Sequence, residues 1–360
     1  VWLDRFTIRN LELLKSAHES GSSLAQVLDK TVTPMGARML RNWILLPLLT
    51  IDRINARLDM VTYFYEKYFD RDALVGLLRQ TGDIARIASK LAMEKISPRE
   101  LLQLKKSLEL LPDILEILKN SENENLILLA DKLNLCSKLK EEIGSTISED
   151  PPALISKGNV IRQGHHEVLD DLRNVIRNSK ELLLEIQVTE ADRTGISSLK
   201  IGFNSVFGYY LEVTNKYKDN DKIPASWVRK QTLANAERYI SEDLKKLETK
   251  ILTAEEKISE LEEKLYHDIV LKATEYIDAL QQNAKNIAIL DCILSFATIA
   301  EKYGYCRPVV DESYEIILKN ARHPVIERQL PLGHDYVPND IFLNNHDTQI
   351  MMITGPNMSG

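Results

Sequence analysis

The residues whose types and order most resemble chemistry lie at the end of the chain, where Ile350-Met351-Met352-Ile353-Thr354 is followed by Gly355-Pro356-Asn357-Met358-Ser359-Gly360. This pattern predicts a buried strand running into a phosphate-binding loop. A complete loop of the G-x-x-x-x-G-K-[ST] type cradles phosphates with backbone N–H groups, sets a Lys on the outer phosphates and gives a hydroxyl to Mg²⁺. Only the cradle is present, because the sequence stops where the Lys and Ser/Thr should come. With Val1 rather than Met at the other end, the chain reads as an interior piece of a larger nucleotide-driven protein.

A second set of candidate residues lies between Gly195 and Tyr239. Lys200, Lys216, Lys218, Lys222, Arg229, Lys230 and Arg238 stand there against Glu212, Asp219, Asp221 and Glu237, a local positive excess in a chain of net charge -7. Scattered lysines on a solvated face are the bland explanation. Amides and hydroxyls accompany the charges, however, in Asn204, Gln231, Thr232 and Asn235, and such groups contact phosphate oxygens without reading base sequence. The favoured reading is a salt-sensitive grip on the backbone of duplex DNA, with Lys200, Asn204, Lys216, Arg229, Lys230 and Asn235 as the phosphate contacts. Tyr209 and Tyr210 fit better as the two faces of a small sheet than as stacking residues, since a duplex offers no unstacked base.

The elements that must position this basic segment are legible around it. Leu199, Ile201 and Phe203 alternate, a turn with Gly208 follows, and Tyr209, Leu211 and Val213 alternate again, which predicts a β-hairpin. Before it, Val168, Leu172, Val175, Ser179, Leu182 and Ile186 follow heptad spacing. After it, Ile240, Leu244, Leu247, Ile251, Ala254, Ile258, Leu261 and Leu265 repeat the same spacing over about 38 Å of helix. Two such stretches flanking one β module describe an antiparallel arm that carries a tip. Residues 1 to 150 look helical throughout. Thr33-Pro34 and Ser97-Pro98-Arg99-Glu100 are helix starts with a capping residue and Pro at the first helical position. Pro151-Pro152 ends that region.

Composition bounds the remainder. A chain of 360 residues with 44% hydrophobic and 28% charged content predicts two or three soluble domains with real cores. Cys136, Cys292 and Cys306 have no C-x-x-C spacing, which suits reduced thiols and not a zinc site. His323, His165 and His166 have no partner at ligand spacing and read as structural or surface residues. No apolar run is read as a membrane span, so the expected location is the cytoplasm.

Several segments together resemble the bacterial MutS family of DNA mismatch repair proteins. Thr194-Gly195-Ile196, Ser198-Leu199-Lys200, the run from Phe207 to Val213 and the run from Arg229 to Tyr239 are similar to the family's clamp. The run from Leu28 to Trp43 is similar to the start of its core domain. Ala321 to Val325, Tyr336 to Asp340 and Gly355 to Gly360 are similar to the first part of its ATPase.

The resemblance implies a mainly α fold with an inserted antiparallel β module. Its parts would be a helical core and first lever at 1–187, a DNA-contacting clamp at 188–247, a returning lever and core at 248–304, and the start of an α/β P-loop ATPase of the ABC type at 305–360. By the same carry-over, Gly355, Pro356, Asn357, Met358, Ser359 and Gly360 would line the phosphates of ATP, and Tyr336 would face the adenine. Ser359 stands where many members have Gly. The longer protein would use ATP and Mg²⁺, close as a homodimer around mismatched duplex DNA as a sliding clamp, work with MutL, and associate with the bacterial nucleoid. The piece in hand would lack both the mismatch-reading domain and a complete ATPase, so it is expected to be catalytically inactive. Two other classes fit less well. An SMC-like protein has far longer arms, and a MutS relative acting as a structural DNA clamp would lack mismatch recognition in its native form as well.

Overall fold

The computed structural model describes residues 3–19, 21–217, 223–331 and 333–355. They fall into two compact units, one of Val1–Met93, Gln103–Ser137 and Glu275–Gly360, the other of Glu94–Leu102 and Lys138–Thr274. In chain order the elements up to the arm are α1 (Arg5–Asn10), α2 (Leu24–Leu28), α3 (Pro34–Leu45), α4 (Ile51–Glu66), α5 (Tyr68–Gln80), α6 (Ile84–Ala92), α7 (Pro98–Glu109), α8 (Leu111–Lys119), α9 (Glu124–Asp131) and α10 (Ser137–Thr146). The helical character expected of residues 1–150 is therefore present. Both anticipated helix starts are formed: Thr33 Oγ1 accepts from Gly36 N at 2.9 Å, and Ser97 N donates to the Glu100 carboxylate at 3.0 Å while Ser97 Oγ accepts from Glu100 N.

The first unit is organised by α13 (Ile277–Tyr303), against which α2, α3, α4, α5 and α6 pack. This helix buries residues around its whole circumference, as a central core helix does. By length and composition it is also apolar enough to cross a membrane, which the sequence reading did not register. Its polar residues show what it does in this fold. Buried Asp291 accepts from Val32 N at 2.9 Å and from Thr33 N at 2.8 Å, and Ser295 links Lys30 N to the Leu28 carbonyl. Asn283 exchanges two hydrogen bonds with the Asn134 backbone, and Asn286 Nδ2 donates to the Lys132 carbonyl. Each side chain satisfies backbone groups at helix ends or in the connections between helices. Cys136 and Cys292 are buried free thiols and Cys306 an exposed one; burial alone pushes the Cys136 thiol up to about 11.

The second unit holds the arm. Its helices are α11 (Glu167–Thr194) and α12 (Glu242–Thr274). At 1.5 Å per residue they span about 42 and 50 Å. His166 caps α11 through Nδ1, which accepts from Leu169 N at 3.4 Å, and Gly195 ends it in the left-handed conformation at φ 64°. Near the base of the arm, Glu262 of α12 pairs with Arg173 of α11 and accepts from Asn159 N and Val160 N. The helices therefore run antiparallel.

The heptad seam is only partly as the spacing suggests. Leu244, Leu247, Ile251 and Ala254 are buried, but further along the buried residues are Glu262, Tyr266, Ile269, Val270 and Ala273, in place of Leu261 and Leu265. Ile240 belongs to a strand and not to the helix. On α11, Val168, Val175 and Leu182 are exposed by 56%, 43% and 45%. A straight helix drifts by about 20° per heptad relative to a 3.5-residue repeat, so without supercoiling a strict heptad stripe rotates out of a two-helix contact.

Between α11 and α12 the chain forms one antiparallel sheet of four strands in the order β1-β2-β4-β3, with β1 (Lys200–Asn204), β2 (Gly208–Thr214), β3 (Val228–Thr232) and β4 (Ala236–Ile240). The first hairpin is the anticipated one. The second was not anticipated, because β3 is an exposed edge strand reading Val-Arg-Lys-Gln-Thr without apolar alternation, and its register slips at Lys230. Ile196, Leu199, Leu211, Val213, Trp227, Tyr239 and Leu244 make the tip's own core. On the other face the Tyr210 ring lies over Gly202, so close that a Cβ at position 202 would sit 2.6 Å from Tyr210 Cζ. Phe207 and the Arg238 guanidinium hold that ring from its other sides. Gly202→Ala is therefore expected to expel Tyr210 and destabilise the tip by about 1–3 kcal/mol, seen as faster amide exchange in β1 and β2 with the first unit unchanged.

Residues after α13 correct one expectation. Strands β5 (Ile316–Ala321) and β6 (Asn339–Leu343) pair antiparallel, and α14 (Ile326–Gln329) lies between them in sequence. The stretch from Ile350 to Thr354 is neither a strand nor buried: Ile350, Met352 and Ile353 are strongly exposed. An apolar run becomes a strand only when a sheet receives it, and among the described residues β5 and β6 pair only with each other.

Candidate nucleic-acid interface

The sheet register decides which candidate residues meet. Lys200 of β1 faces Glu212 of β2, Glu212 faces Arg238 of β4, and Arg238 faces Gln231 of β3. These four side chains form one cross-strand row. Arg238 is held down within it: Nε donates to Glu212 Oε2 at 3.1 Å, Nη1 donates to Gln231 Oε1 at 2.8 Å, and the guanidinium carbon lies 4.3 Å from the Tyr210 ring centroid. Lys200, at the edge of the row, is exposed.

Arg229 is opposite Tyr239 and so belongs to the other face. There its Nη1 lies 3.3 Å from Oε1 of buried Glu237, which also accepts from the Tyr239 hydroxyl. Burial first, and then that hydrogen bond, push the Tyr239 phenol up to about 12. Arg229 thus balances a buried carboxylate while its own side chain stays 60% exposed. Lys230 is exposed at the register slip.

One end of the sheet gathers several polar groups. Thr214, the last residue of β2, faces Ala236, the first of β4. The Asn215 amide Nδ2 donates to the Ala234 carbonyl at 2.7 Å, and Asn215 N donates to the Asn235 carbonyl at 3.1 Å. Ser198 Oγ and Thr214 Oγ1 are 3.1 Å apart. Lys216 and Asn235 are therefore neighbours at this end, both exposed, and Lys200 begins β1 on the same side. Asn204 is not among them. It lies at the opposite end of β1, where its Oδ1 accepts from Val206 N at 2.8 Å and closes the hairpin turn.

Sequence reasoning missed Ser197, Ser198, Thr214 and Asn215, which surround Lys216 and Asn235. The available signal was the Ser-Ser pair just before Lys200 and the Thr-Asn-Lys run after β2. Their convergence depends on the second hairpin, which folds Ala234 and Asn235 back onto Asn215.

The nucleotide-binding candidates are not gathered by the described residues. Tyr336 is half-buried in irregular chain before β6, and Gly355 is exposed. Pro356, Asn357, Met358, Ser359 and Gly360 lie outside the described residues. Among the described residues no group of three or more His, Cys, Asp or Glu side chains is placed to hold a metal. His323 Nδ1 accepts from Val325 N and Ile326 N, each at 3.3 Å.

A paired-helix arm bearing a small sheet, with exposed lysines, amides and hydroxyls at one end of that sheet, defines a helical scaffold protein with a polar clamp-like tip. The family described as MutS domain III matches residues 6–297. The chain belongs to the MutS family. It is 49% identical over its whole length to the DNA mismatch repair protein MutS of Parabacteroides distasonis, of which it covers 41%. It is 48% identical to those of Phocaeicola vulgatus and Bacteroides fragilis, covering 41% and 42% of them. It thus spans about two-fifths of the length of these relatives.

Proposed function

We propose that the chain serves DNA mismatch repair, and that within it the sheet between α11 and α12 grips the sugar-phosphate backbone of duplex DNA without reading sequence. The observation that carries this is the cluster of Lys200, Lys216 and Asn235 with Ser197, Ser198 and Thr214 at one end of a sheet held by two long helices. Such groups, with backbone N–H, are the ones that contact phosphates and fix position. The row through Arg238 contributes rigidity, since its charge is already matched by Glu212. Asn204, Arg229 and Lys230 would be further phosphate contacts outside that cluster, with Asn204 at the far end of the sheet and Arg229 on its opposite face.

In the longer protein the same reading has four parts: core and first lever at 1–187, clamp at 188–247, returning lever and core at 248–304, and an ATPase beginning at 305. ATP and Mg²⁺ would be its cofactors, a homodimer its assembly, MutL its downstream partner, and the bacterial cytoplasm and nucleoid its location. Tyr336 and Gly355 would be part of the nucleotide site, but the described residues do not by themselves form one.

Binding of the chain to matched and mismatched duplexes by fluorescence anisotropy across a salt series tests the reading. Weak and equal binding is expected, with a steep logarithmic dependence on salt. Lys200→Ala and Lys216→Ala should each flatten the slope by about 0.9, the value for one phosphate contact on duplex DNA, while Lys138→Ala should not. Undiminished binding in the Lys200→Ala, Lys216→Ala double variant would overturn the assignment of the surface.

A further inference from the structure

The exposed heptad positions of α11 have a geometric consequence. Leu172, Val175, Ser179 and Leu182 form one stripe on α11, and Lys246, Lys250, Thr253 and Lys257 form the facing stripe on α12. Between them, floored by Leu247 and Ala254, runs an open groove of about 910 Å³. The α11 stripe covers three helical turns, a length of about 15 Å. Val175 and Leu182 are exposed by 43% and 45%, and Val168, one turn further along, by 56%. The seven-residue spacing of these three residues is the repeat that a packed helix reads.

We propose that this groove receives an acidic amphipathic helix from a partner protein, docked as a third helix along the arm. Two features fix the chemistry of the occupant. The apolar stripe at 172, 175 and 182 asks for Leu-like side chains at helical spacing. The α12 wall carries lysines at 246, 250 and 257, so the flank of the incoming helix that faces α12 should be acidic. Lys246 already pairs with Glu242 at 2.9 Å on the exposed surface, which leaves Lys250 and Lys257 to select charge. A second copy of this same arm fits less well, because its own groove wall would set lysines against lysines. Duplex DNA fits the lysines but not the apolar stripe of α11, since phosphates gain nothing from Val175 or Leu182.

The test uses the full 360-residue chain and two labelled peptides of about 18 residues with Leu at a-and-d spacing, identical except that one carries Glu and the other Lys on the flank beside the apolar stripe. The acidic peptide should bind at least about tenfold more tightly than the basic one. Val175→Ser with Leu182→Ser, both at exposed positions and checked by unchanged circular dichroism, should abolish binding of the acidic peptide. Lys250→Glu with Lys257→Glu should invert the preference between the peptides. Equal affinity for both peptides, or no binding of either, overturns the proposal. So does acidic-peptide binding that survives the two serine substitutions, since a DNA-like electrostatic contact would behave in that way. Concentration-dependent self-association lost in the serine variant would assign the groove to a second copy and overturn it as well.

Discussion

Glu262→Ala is expected to cost the second unit about 3–5 kcal/mol, the typical loss when one partner of a buried ion pair is removed. Glu262 is 1% exposed at the side chain, against 21% for Arg173. Its carboxylate accepts from Arg173 of α11 and from the backbone N–H groups of Asn159 and Val160, at 3.1 and 3.3 Å, and it is itself part of α12. Three separate stretches of chain therefore end on one pair of oxygens. Truncation to Ala leaves a largely buried guanidinium with Asp170 and the Ile161 carbonyl as its partners among the described residues, and takes the acceptor from two backbone donors, each costing about 1–3 kcal/mol. Glu262→Gln keeps one acceptor and should lose less, while Arg173 would still lack its charge partner. Urea unfolding followed by hydrogen exchange would read this directly. The amides of Asn159 and Val160 should lose protection first, and the first unit should keep its own. Unchanged protection at those two amides in Glu262→Ala would show that the carboxylate does not hold the loop.

How far this fold could be read from its residues depended on whether each signal was local. Helix caps are local, and Thr33-Pro34 and Ser97-Pro98 with Glu100 mark helix starts that the structure forms. The first hairpin was visible because its strands alternate and lie against a core. The second was hidden because β3 is an edge strand whose side chains meet solvent, so no alternation was required of it. Its partner β4 reads Ala-Glu-Arg-Tyr-Ile, and Glu237 is buried with Arg229 and the Tyr239 hydroxyl among its partners. No periodicity shows such an arrangement. The seam along α12 was legible as far as Ala254 and then diverged, because at the base of the arm α12 meets more than α11: Glu262 holds the amides of Asn159 and Val160, and the Tyr266 hydroxyl donates to the Ile96 carbonyl.

The candidate site divides in the same way. Lys200, Lys216 and Asn235 could be chosen as polar residues of a basic segment, but their meeting at one end of the sheet is a consequence of strand order β1-β2-β4-β3. Asn204 was chosen on the same grounds, and the register places it at the far end. The strand expected at Ile350 to Thr354 shows the opposite failure. Its apolar composition is a statement about what the segment would do when a sheet accepts it, and β5 and β6 do not.

Asp291→Ala should destabilise the first unit by about 3–5 kcal/mol, because the carboxylate closes α13 onto the start of α3 through three donors at once. Val32 N and Thr33 N donate to it at 2.9 and 2.8 Å, and the Thr33 hydroxyl donates at 2.6 Å while accepting from Gly36 N. The fit is close enough that a Cβ at Gly36 would lie 2.1 Å from Asp291 Oδ2. Removing the carboxylate thus orphans two backbone amides, that of buried Thr33 and that of half-buried Val32, frees the capping hydroxyl and leaves a void. The same group gives a pH dependence of definite sign. Burial raises the Asp291 carboxyl above its ordinary 3.8, with the Thr33 and Val32 hydrogen bonds acting against that rise. The native state then holds the proton at a pH where the unfolded chain has released it. Stability conferred by this group is greatest below 3.8 and falls as pH rises through the raised native value. Asp291→Asn removes the titration, so the difference in stability between wild type and Asp291→Asn should shift in the mutant's favour across that window and level off above it. Urea titrations of both proteins at a series of pH values measure the difference. A wild type that instead gains stability relative to Asp291→Asn as pH rises would mean that the three donors outweigh burial and hold the carboxylate charged.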